Sequence, residues 1–496
     1  MQLNSNEFKT RVDADLCNAD LAPVSLSQRK WGVWSMAALW ISMAACVPTY
    51  MLASSLIEGG MSWRQAIMTV LLGNIIVVVP MVLNAHAGTK YGIPFPVFCR
   101  ASFGIHGANI PAMMRAVVAC GWFGIQTWIG GEAIYKIGAI FVPSIADSDT
   151  IAFLDISLAQ LACFMLFWAI NMVVVWHGID SIRLLLQIKA PLLIVLGLLL
   201  LAWAYRAAGG FGPILAQPSL FDAGQAKAGQ FWHFFPAALT GMIGFWATLS
   251  LNIPDFSRYA KSQRAQALGQ VLGLPLTMAL YSFIGIAVTS ATAIIYGKPM
   301  WDPVDVLTKF TNPAILIVAM FALCIATLAT NLAANVVSPA NDFANLAPRK
   351  ISFRTGGLIT GIVGILIMPW KLIADPTGFI FVWLVGYSAL LGPIGGILIC
   401  DYFALRGRTL HLEDLYRNGG QYRYHGGFSL VAIAALLLGI APNVPGFLVV
   451  TKVLDAASVA PIWQDIYGYS WFVGFGISFV VYFALRMMTP RPTTAS

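Results

Sequence analysis

The sequence predicts an all-α integral membrane protein of twelve transmembrane helices, and three observations carry that expectation. The 496 residues are 58% hydrophobic and only 10% charged, with a mean hydropathy of +0.77, against roughly 25% charged residues in a typical soluble chain. Apolar runs of about 20 residues, the length that crosses a hydrocarbon core roughly 30 Å thick, recur twelve times along the chain. One motif occurs twice, in the first and the sixth run, an odd step of five, which points to an inverted repeat.

In chain order the runs cover 33–57, 65–85, 109–138, 156–176, 184–205, 232–251, 271–296, 313–340, 356–373, 377–404, 428–450 and 467–487. The first follows a polar segment, "MQLNSNEFKTRVDADLCNAD", begins only near Trp31 and is too long for the apolar core of a signal peptide, so no cleavable leader is expected. The N-terminus is expected to stay in the cytoplasm, and an even number of spans then returns the C-terminus to the same side. Charge agrees. With the loops assigned alternately, about 21 of the 29 Lys and Arg fall on the side of the termini, among them Arg29, Lys30, Lys90, Arg100, Arg115, Arg258, Lys261, Arg349, Lys350, Arg406 and Arg408. The opposite loops carry Asp147, Asp149, Asp302, Asp305 and Asp375. The net charge of +8 therefore reports topology in the cell (inner) membrane and gives no support for a nucleic-acid partner.

Several classes are disfavoured. The seven cysteines (17, 46, 99, 120, 163, 324 and 400) are odd in number and scattered, without disulfide or metal spacing. The six histidines form no H-x-x-x-H pair, and no phosphate-binding G-x-x-x-x-G-K-[ST] loop occurs. No metal, no cofactor and no enzymatic activity are expected.

The repeat pairs "WISMAACVPTY", Trp40 to Tyr50 in span 1, with "WATLSLNIPDF", Trp246 to Phe256 in span 6. Both place Trp eight residues before Pro, and the offset of 206 residues also carries Ile125 of span 3 onto Asn331 of span 8. The copies lie five spans apart in order, an odd step, so the second crosses the membrane in the opposite sense. Secondary transporters built this way hold their ligands near the midplane, beside interrupted helices. Pro48 and Pro254 each remove a backbone donor, and Gly241 and Gly244 are expected to loosen the start of span 6. Kinked but packed helices are the plainer alternative. The expected organisation is a cytoplasmic N-terminal segment (1–30), a first five-helix repeat (31–230), a second, inverted five-helix repeat (231–405), two additional helices (406–487) and a cytoplasmic tail (488–496).

Within "GWFGIQTWIGG", 121–131, Trp122 and Gln126 are four apart and project from one helix face. An indole plane with a donor-acceptor amide suits a flat polar heterocycle, which stacks on the ring and offers N–H and C=O to the amide. Asn331 and Asn335 form a second amide pair, and Trp246 could cover the ligand's other face. The alternative is interhelical packing and hydrogen bonding, common in membrane bundles; Trp128 is read as packing. No Lys or Arg lies near this group, so the ligand is expected to be uncharged. Glu132 is an intramembrane acid and so a functional candidate, linked to a proton, unless Lys136 at i+4 pairs with it. Asp255, the second proton-linked candidate, is placed near the cytoplasmic end of span 6, as a cap or a partner of Arg258.

These residues resemble the motifs of the nucleobase:cation symporter-1 family, carriers of hydantoins, allantoin, uracil, cytosine and purines. The resemblance runs from about residue 18 to 487 through "NADLAPV", "AGTKYGIPFPVFCRASFGIHGANIPA", "GWFGIQTWIGG", "FWATLSLNIPDFSRYA", "NLAANVVSPANDFANLAPRKI" and "GPIGGILICDYF". It implies a LeuT-like five-plus-five inverted repeat with two extra helices. It also implies that Trp122 and Trp246 sandwich the substrate ring, with Gln126 and Asn335 hydrogen-bonding its edges. Cys46 stands where relatives carry an amide, and a thiol is a weak donor and acceptor. Gln126, where some purine carriers have Glu, leans toward a pyrimidine or a five-membered cyclic ureide. The family's sodium site maps to the carbonyls of Ser42, Ala45 and Ala326 with Ala329 and Thr330. Ala329 supplies no hydroxyl, which leaves Na+ and H+ both open as the coupling cation.

The expected function is thus import of an uncharged planar nucleobase or cyclic ureide (uracil, hydantoin or allantoin type) by cation symport with alternating access. The expected partners are that small molecule and the lipid bilayer, for a monomeric chain. A LeuT-fold amine or amino-acid symporter, which would not need the Trp122 and Gln126 pair, and a passive channel are the alternatives.

Overall fold

The computed structural model describes residues 11–177 and 179–489, with side chains from 191 onward in the second stretch. Residues 1–10 of the N-terminal segment and 490–496 of the tail lie outside the described residues. Twelve helical passages follow one another in the expected order. Among the described residues seven single helices are long and apolar enough to cross a membrane, and Val33–Ala44 with Val47–Glu58 form an eighth, bent by 59°. Three passages that carry the candidate site or its wall depart from that standard for visible reasons. Span 1 is the bent pair. Span 6 is broken into Phe231–Phe245, Ala247–Asn252 and Pro254–Ser257. Span 3, Asn109–Phe141, is 33 residues long, but Gln126, Glu132 and its glycines lower its hydropathy. Function has left these helices less apolar or less continuous than lipid alone would favour.

Local chemistry sets the ends. Span 2, Trp63–Tyr91, starts with a capping box in which the Ser62 side chain accepts from the Gln65 amide and Gln65 reaches back, and it stops at Gly92, whose φ of 75° suits glycine. Span 7, Gln263–Tyr296, is capped by Ser262 and ends at Gly297 in the same left-handed conformation. Span 8 begins with Asn312 as cap and Pro313 in its first turn, and breaks at Val336 before continuing as Val337–Leu346. Span 9 is Phe353–Leu366, and span 10 runs over Gly378–Leu405 with π-helical turns at both ends. Spans 11 and 12 are Leu430–Val450 and Ser470–Met488.

The packing mirrors the repeat. Span 7 lies along spans 1 and 2, and span 6 along span 2; spans 3, 4, 8 and 9 pack on one another. Pairs recur across the 206-residue offset: span 5 touches spans 7 and 8, and span 10 touches spans 2 and 3. Trp40 and Trp246, the equivalent residues of the two halves, meet edge to face with ring centroids 5.3 Å apart. The proline positions also correspond, since Pro48 sits in the first turn after the span 1 break and Pro254 in the first turn after the last span 6 break, where a missing N–H costs nothing. A Cβ at Gly88 of span 2 would come within 2.7 Å of Pro254 Cα, so glycine is what allows this approach.

Two expectations need correction. Gly241 and Gly244 do not loosen span 6: both lie inside the regular helix Phe231–Phe245. A Cβ on Gly244 would meet Ser388 and lie 2.9 Å from the Leu384 carbonyl, so its smallness serves close packing on span 10. Arg100 and Arg115, read as loop charges, are fully buried on helices, Arg100 on an unexpected short helix Phe95–Phe103 and Arg115 on span 3. The N-terminal segment is laced across the same end of the bundle: Asp13 N–H donates to Tyr416 O at 2.9 Å, Tyr416 OH to Leu21 O at 2.7 Å, and Arg29 to Thr89 O at 2.9 Å.

Candidate functional site

Trp122 and Gln126 sit on the buried face of span 3, beside the first break of span 6. Trp122, 5% exposed, is ringed edge-on by Phe245 at 5.2 Å, Trp383 at 5.9 Å and Phe379 at 6.1 Å. Spans 6 and 10 therefore wall the indole, and its neighbours meet it by their edges. Trp246 does not meet Trp122 in a ring contact; Phe245 stands edge-on to both, 5.0 Å from Trp246 at 90°. The two indoles expected as a sandwich are thus brought to one region with Phe245 as the shared neighbour. Gln126 is buried, and its amide oxygen has no hydrogen-bond partner among the described residues. An unmatched buried acceptor costs about 1–3 kcal/mol, a cost that a ligand N–H would remove.

The amide pair of span 8 divides into two roles. Asn331 is fully buried and its nitrogen lies within reach of Phe123 O (3.2 Å), Thr127 Oγ1 (3.1 Å) and Asn171 Oδ1 (3.2 Å), while its oxygen accepts from Asn335 Nδ2 at 3.0 Å. Its nitrogen is thus directed at spans 3 and 4 and its oxygen at Asn335, so in this structure the side chain of Asn331 bonds protein groups. Asn335 keeps its own oxygen and second N–H. Cys46 is the residue just before the second half of span 1, with its Sγ 3.2 Å from Thr49 Oγ1, which in turn approaches Met278 Sδ at 3.6 Å. The thiol is held by its own helix turn, which fits its weak claim on a ligand.

The candidate cation residues fall where spans 1 and 8 pack together. Span 1 stops at Ala44 and resumes at Val47, so the helical ladder is interrupted beside Ser42 and Ala45. On span 8, Thr330 Oγ1 donates to the Ala326 carbonyl at 2.9 Å, and Ala329 is fully buried with no oxygen on its side chain.

The two acids are placed differently from expectation. Glu132 accepts from Gln160 Nε2 of span 4 at 2.9 Å, and Lys136 instead rests over the Tyr135 ring at 5.6 Å; no ion pair between them is present among the described residues. Asp255 does not pair with Arg258. It accepts from the Phe95 amide at 2.8 Å and from the Ser338 hydroxyl, which is also a partner of Asn252, whereas Arg258 donates to the Asp20 carbonyl at 2.8 Å. This joins spans 6 and 8 to the short helix before span 3.

Beside it lies a pair missed in the sequence, Arg115 and Asp342, at 2.9 Å with both side chains fully buried. Arg100 donates to Asn345 Oδ1 at 2.6 Å and to Leu415 O at 2.9 Å. The signal was there: Asn331, Asn335, Ser338, Asp342 and Asn345 recur at alternating spacings of four and three, one continuous polar stripe on a helical face.

A further missed acid is Asp302, in the loop between spans 7 and 8, where Oδ1 caps the Val304 amide at 2.8 Å. Burial and the neighbouring Asp305 and Glu132 push its carboxyl up to about 7. The unfolded carboxyl loses its proton near pH ~4, so folding is increasingly penalised as pH rises across that window and the penalty is complete above it. Asp302→Asn, which keeps a capping oxygen, should gain thermal stability relative to wild type between about pH 4 and pH 7. Parallel melting curves across that range would refute the assignment.

The sequence profile of a family described as permease for cytosine/purines, uracil, thiamine, allantoin matches residues 23–474. The purine-uracil permease NCS1 of Arabidopsis thaliana is 45% identical over 493 residues, 99% of this chain and 81% of that protein. The allantoin permease of Bacillus subtilis (strain 168) is 40% identical, covering 97% and 95%. Among solved structures, the inward-facing conformation of Mhp1 matches with a TM-score of 0.77 at 26% identity, over 98% of this chain and 97% of that one. Mhp1 in a closed conformation with bromovinylhydantoin bound gives 0.76 at 26%, over 97% and 98%.

Proposed function

The chain belongs to the permease family for cytosine/purines, uracil, thiamine and allantoin, and on that premise we propose that it imports an uncharged, planar nucleobase or cyclic ureide, such as uracil, hydantoin or allantoin, by cation symport with alternating access. It is a multi-pass membrane permease. We place it in the inner membrane as a monomer with both termini in the cytoplasm, on the charge distribution of its loops. The observation that carries the substrate class is Gln126: a buried amide with an open acceptor, one helical turn from an indole; Asn335, bonded to Asn331 on span 8, is proposed as the second amide. A ring with adjacent N–H and C=O groups satisfies these amides while stacking on Trp122, and the buried cation of the same span, Arg115, is paired with Asp342.

Trp246 and Cys46 complete the proposed binding region, Trp246 as the more distant aromatic wall and Cys46 as a polarisable side. Coupling is assigned to the junction of spans 1 and 8. A sodium ion there would draw on the carbonyls of Ser42, Ala45 and Ala326 and on Thr330, one hydroxyl short because of Ala329; a hard cation favours a fuller oxygen shell. A proton carried by Glu132 or Asp255 is the other route. Ala329→Ser should therefore create or strengthen sodium dependence of substrate binding, read as the ratio of dissociation constants in sodium and choline. An unchanged ratio would remove Ala329 from the coupling site.

Tryptophan-fluorescence titration of purified protein with hydantoin, allantoin, uracil, cytosine and adenine, in sodium and in choline at two pH values, tests the whole reading. Saturable quenching by one ring, absent in Trp122→Phe, is the expected result. Folded protein that responds to no ring but binds amines or amino acids would overturn it.

A further inference from the structure

The ends of spans 10 and 12 on the N-terminal side of the bundle enclose a cavity of about 130 Å³ lined by Asp401, Arg406, Gln421, Tyr424, Arg486 and Met487. On the same measure a single water needs roughly 10–15 Å³, so the cavity accepts a group several times larger. Its charges are unbalanced. Asp401 is already saturated, with Oδ2 accepting from Arg406 Nε at 2.6 Å and Ser102 Oγ at 3.2 Å, and Oδ1 from Tyr482 OH at 2.8 Å.

Arg406 NH2 also donates to Ala101 O at 3.0 Å and Tyr424 OH at 2.8 Å. Arg486, half-buried, has only neutral partners: Nε donates to Tyr482 OH at 3.1 Å and NH2 to Ser429 Oγ at 2.9 Å, while the guanidinium lies 4.6 Å from the Tyr424 ring centroid. No carboxylate lies within 4 Å of it among the described residues. Gln421 adds a buried amide nitrogen with no acceptor. A cavity with one cation in excess, an unmatched donor and two guanidiniums in a partly desolvated wall is built for an oxyanion, which guanidinium forks bind as charge-assisted pairs.

The rim identifies the source of that anion. Met487, at the cavity wall, and Met488 are exposed, the latter 80%, and Phe428 and Leu430, which flank the Ser429 bonded by Arg486, are also exposed. Apolar side chains facing lipid beside a cationic polar cavity at the end of two spans match a molecule with a phosphate head and hydrocarbon tails. We propose that this cavity holds the head group of an anionic phospholipid, with Arg486 and Gln421 as its ligands and the tails along Met487, Phe428 and Leu430. Basic pockets at the cytoplasmic leaflet are the usual place for such lipids.

The test uses the purified, delipidated full-length protein and follows its thermal midpoint during titration with phosphatidylglycerol, phosphatidylcholine or inorganic phosphate. Phosphatidylglycerol should stabilise saturably and phosphatidylcholine should not. Arg486→Gln should weaken the apparent affinity roughly fivefold or more, the effect of removing about one interfacial cation, and Gln421→Leu should weaken it without disturbing the Arg406–Asp401 pair. If Arg486→Gln does not fold, Gln421→Leu decides. An equal response to phosphatidylcholine, full stabilisation by inorganic phosphate alone, or an unchanged affinity in the variants would each overturn the proposal.

Discussion

Trp122→Ala and Gln126→Ala are each expected to weaken saturable binding of the transported ring by about 5- to 150-fold while leaving folded protein in the membrane. Loss of a stacking partner costs roughly 1–3 kcal/mol per base, and loss of a buried amide contact to the ring edge costs a comparable 1–3 kcal/mol because the ligand group is left unpaired. Either term alone weakens a micromolar site by a factor of about 5 to 150. Gln126 matters beyond affinity, because its amide distinguishes rings with adjacent N–H and C=O groups from flat hydrocarbons. Gln126→Leu should therefore bind apolar aromatic rings no worse than wild type. Binding curves for the three variants check this, and near-wild-type curves in both alanine variants would make the proposed site a packing feature.

Asp342→Asn is expected to give the largest loss of stability of any single substitution considered. Arg115 and Asp342 are both fully out of solvent, and removing one charge strands the other, at a cost of about 3–5 kcal/mol. The same reasoning predicts that Arg115→Met combined with Asp342→Leu recovers most of the loss, because an apolar pair of similar volume needs no counter-ion. Thermal midpoints of Arg115→Met, Asp342→Leu and the double variant form the cycle that measures this; additive losses would show that the pair is not the source of the effect.

Span number, order and the repeat were legible in the sequence because each rests on a strong local signal: run length, proline position and the Trp40–Trp246 offset. The candidate site was legible only as residue types on helix faces, Trp122 with Gln126 on span 3 and Asn331 with Asn335 on span 8. Partners were not. Whether Asn331 faces ligand or protein depends on Asn171 and Thr127, which lie 160 and 204 residues away, and no spacing within one helix contains that. The same holds for Asp255, whose partners Phe95 and Ser338 come from other elements. Arg100 and Arg115 misled because charge alone suggests a loop, and only the polar stripe on the end of span 8 shows how an arginine can be buried.

The edge-to-face meeting of Trp40 and Trp246 has a consequence for how this molecule reads an unsymmetrical ring. Equivalent residues of two halves related by a twofold can touch only beside the axis, as in the self-complementary contact of a homodimer. The axis of this internal pseudo-dimer therefore passes through the junction of the two broken helices, next to the candidate site. A binding place on such an axis would present each ligand with the same face twice if the halves were identical. They are not: Trp122 faces Leu328 across the 206-residue offset, Gln126 faces Leu332 and Cys46 faces Asn252. The duplicated skeleton supplies two broken helices, and the residues by which the copies have diverged make the two sides of the proposed site unlike.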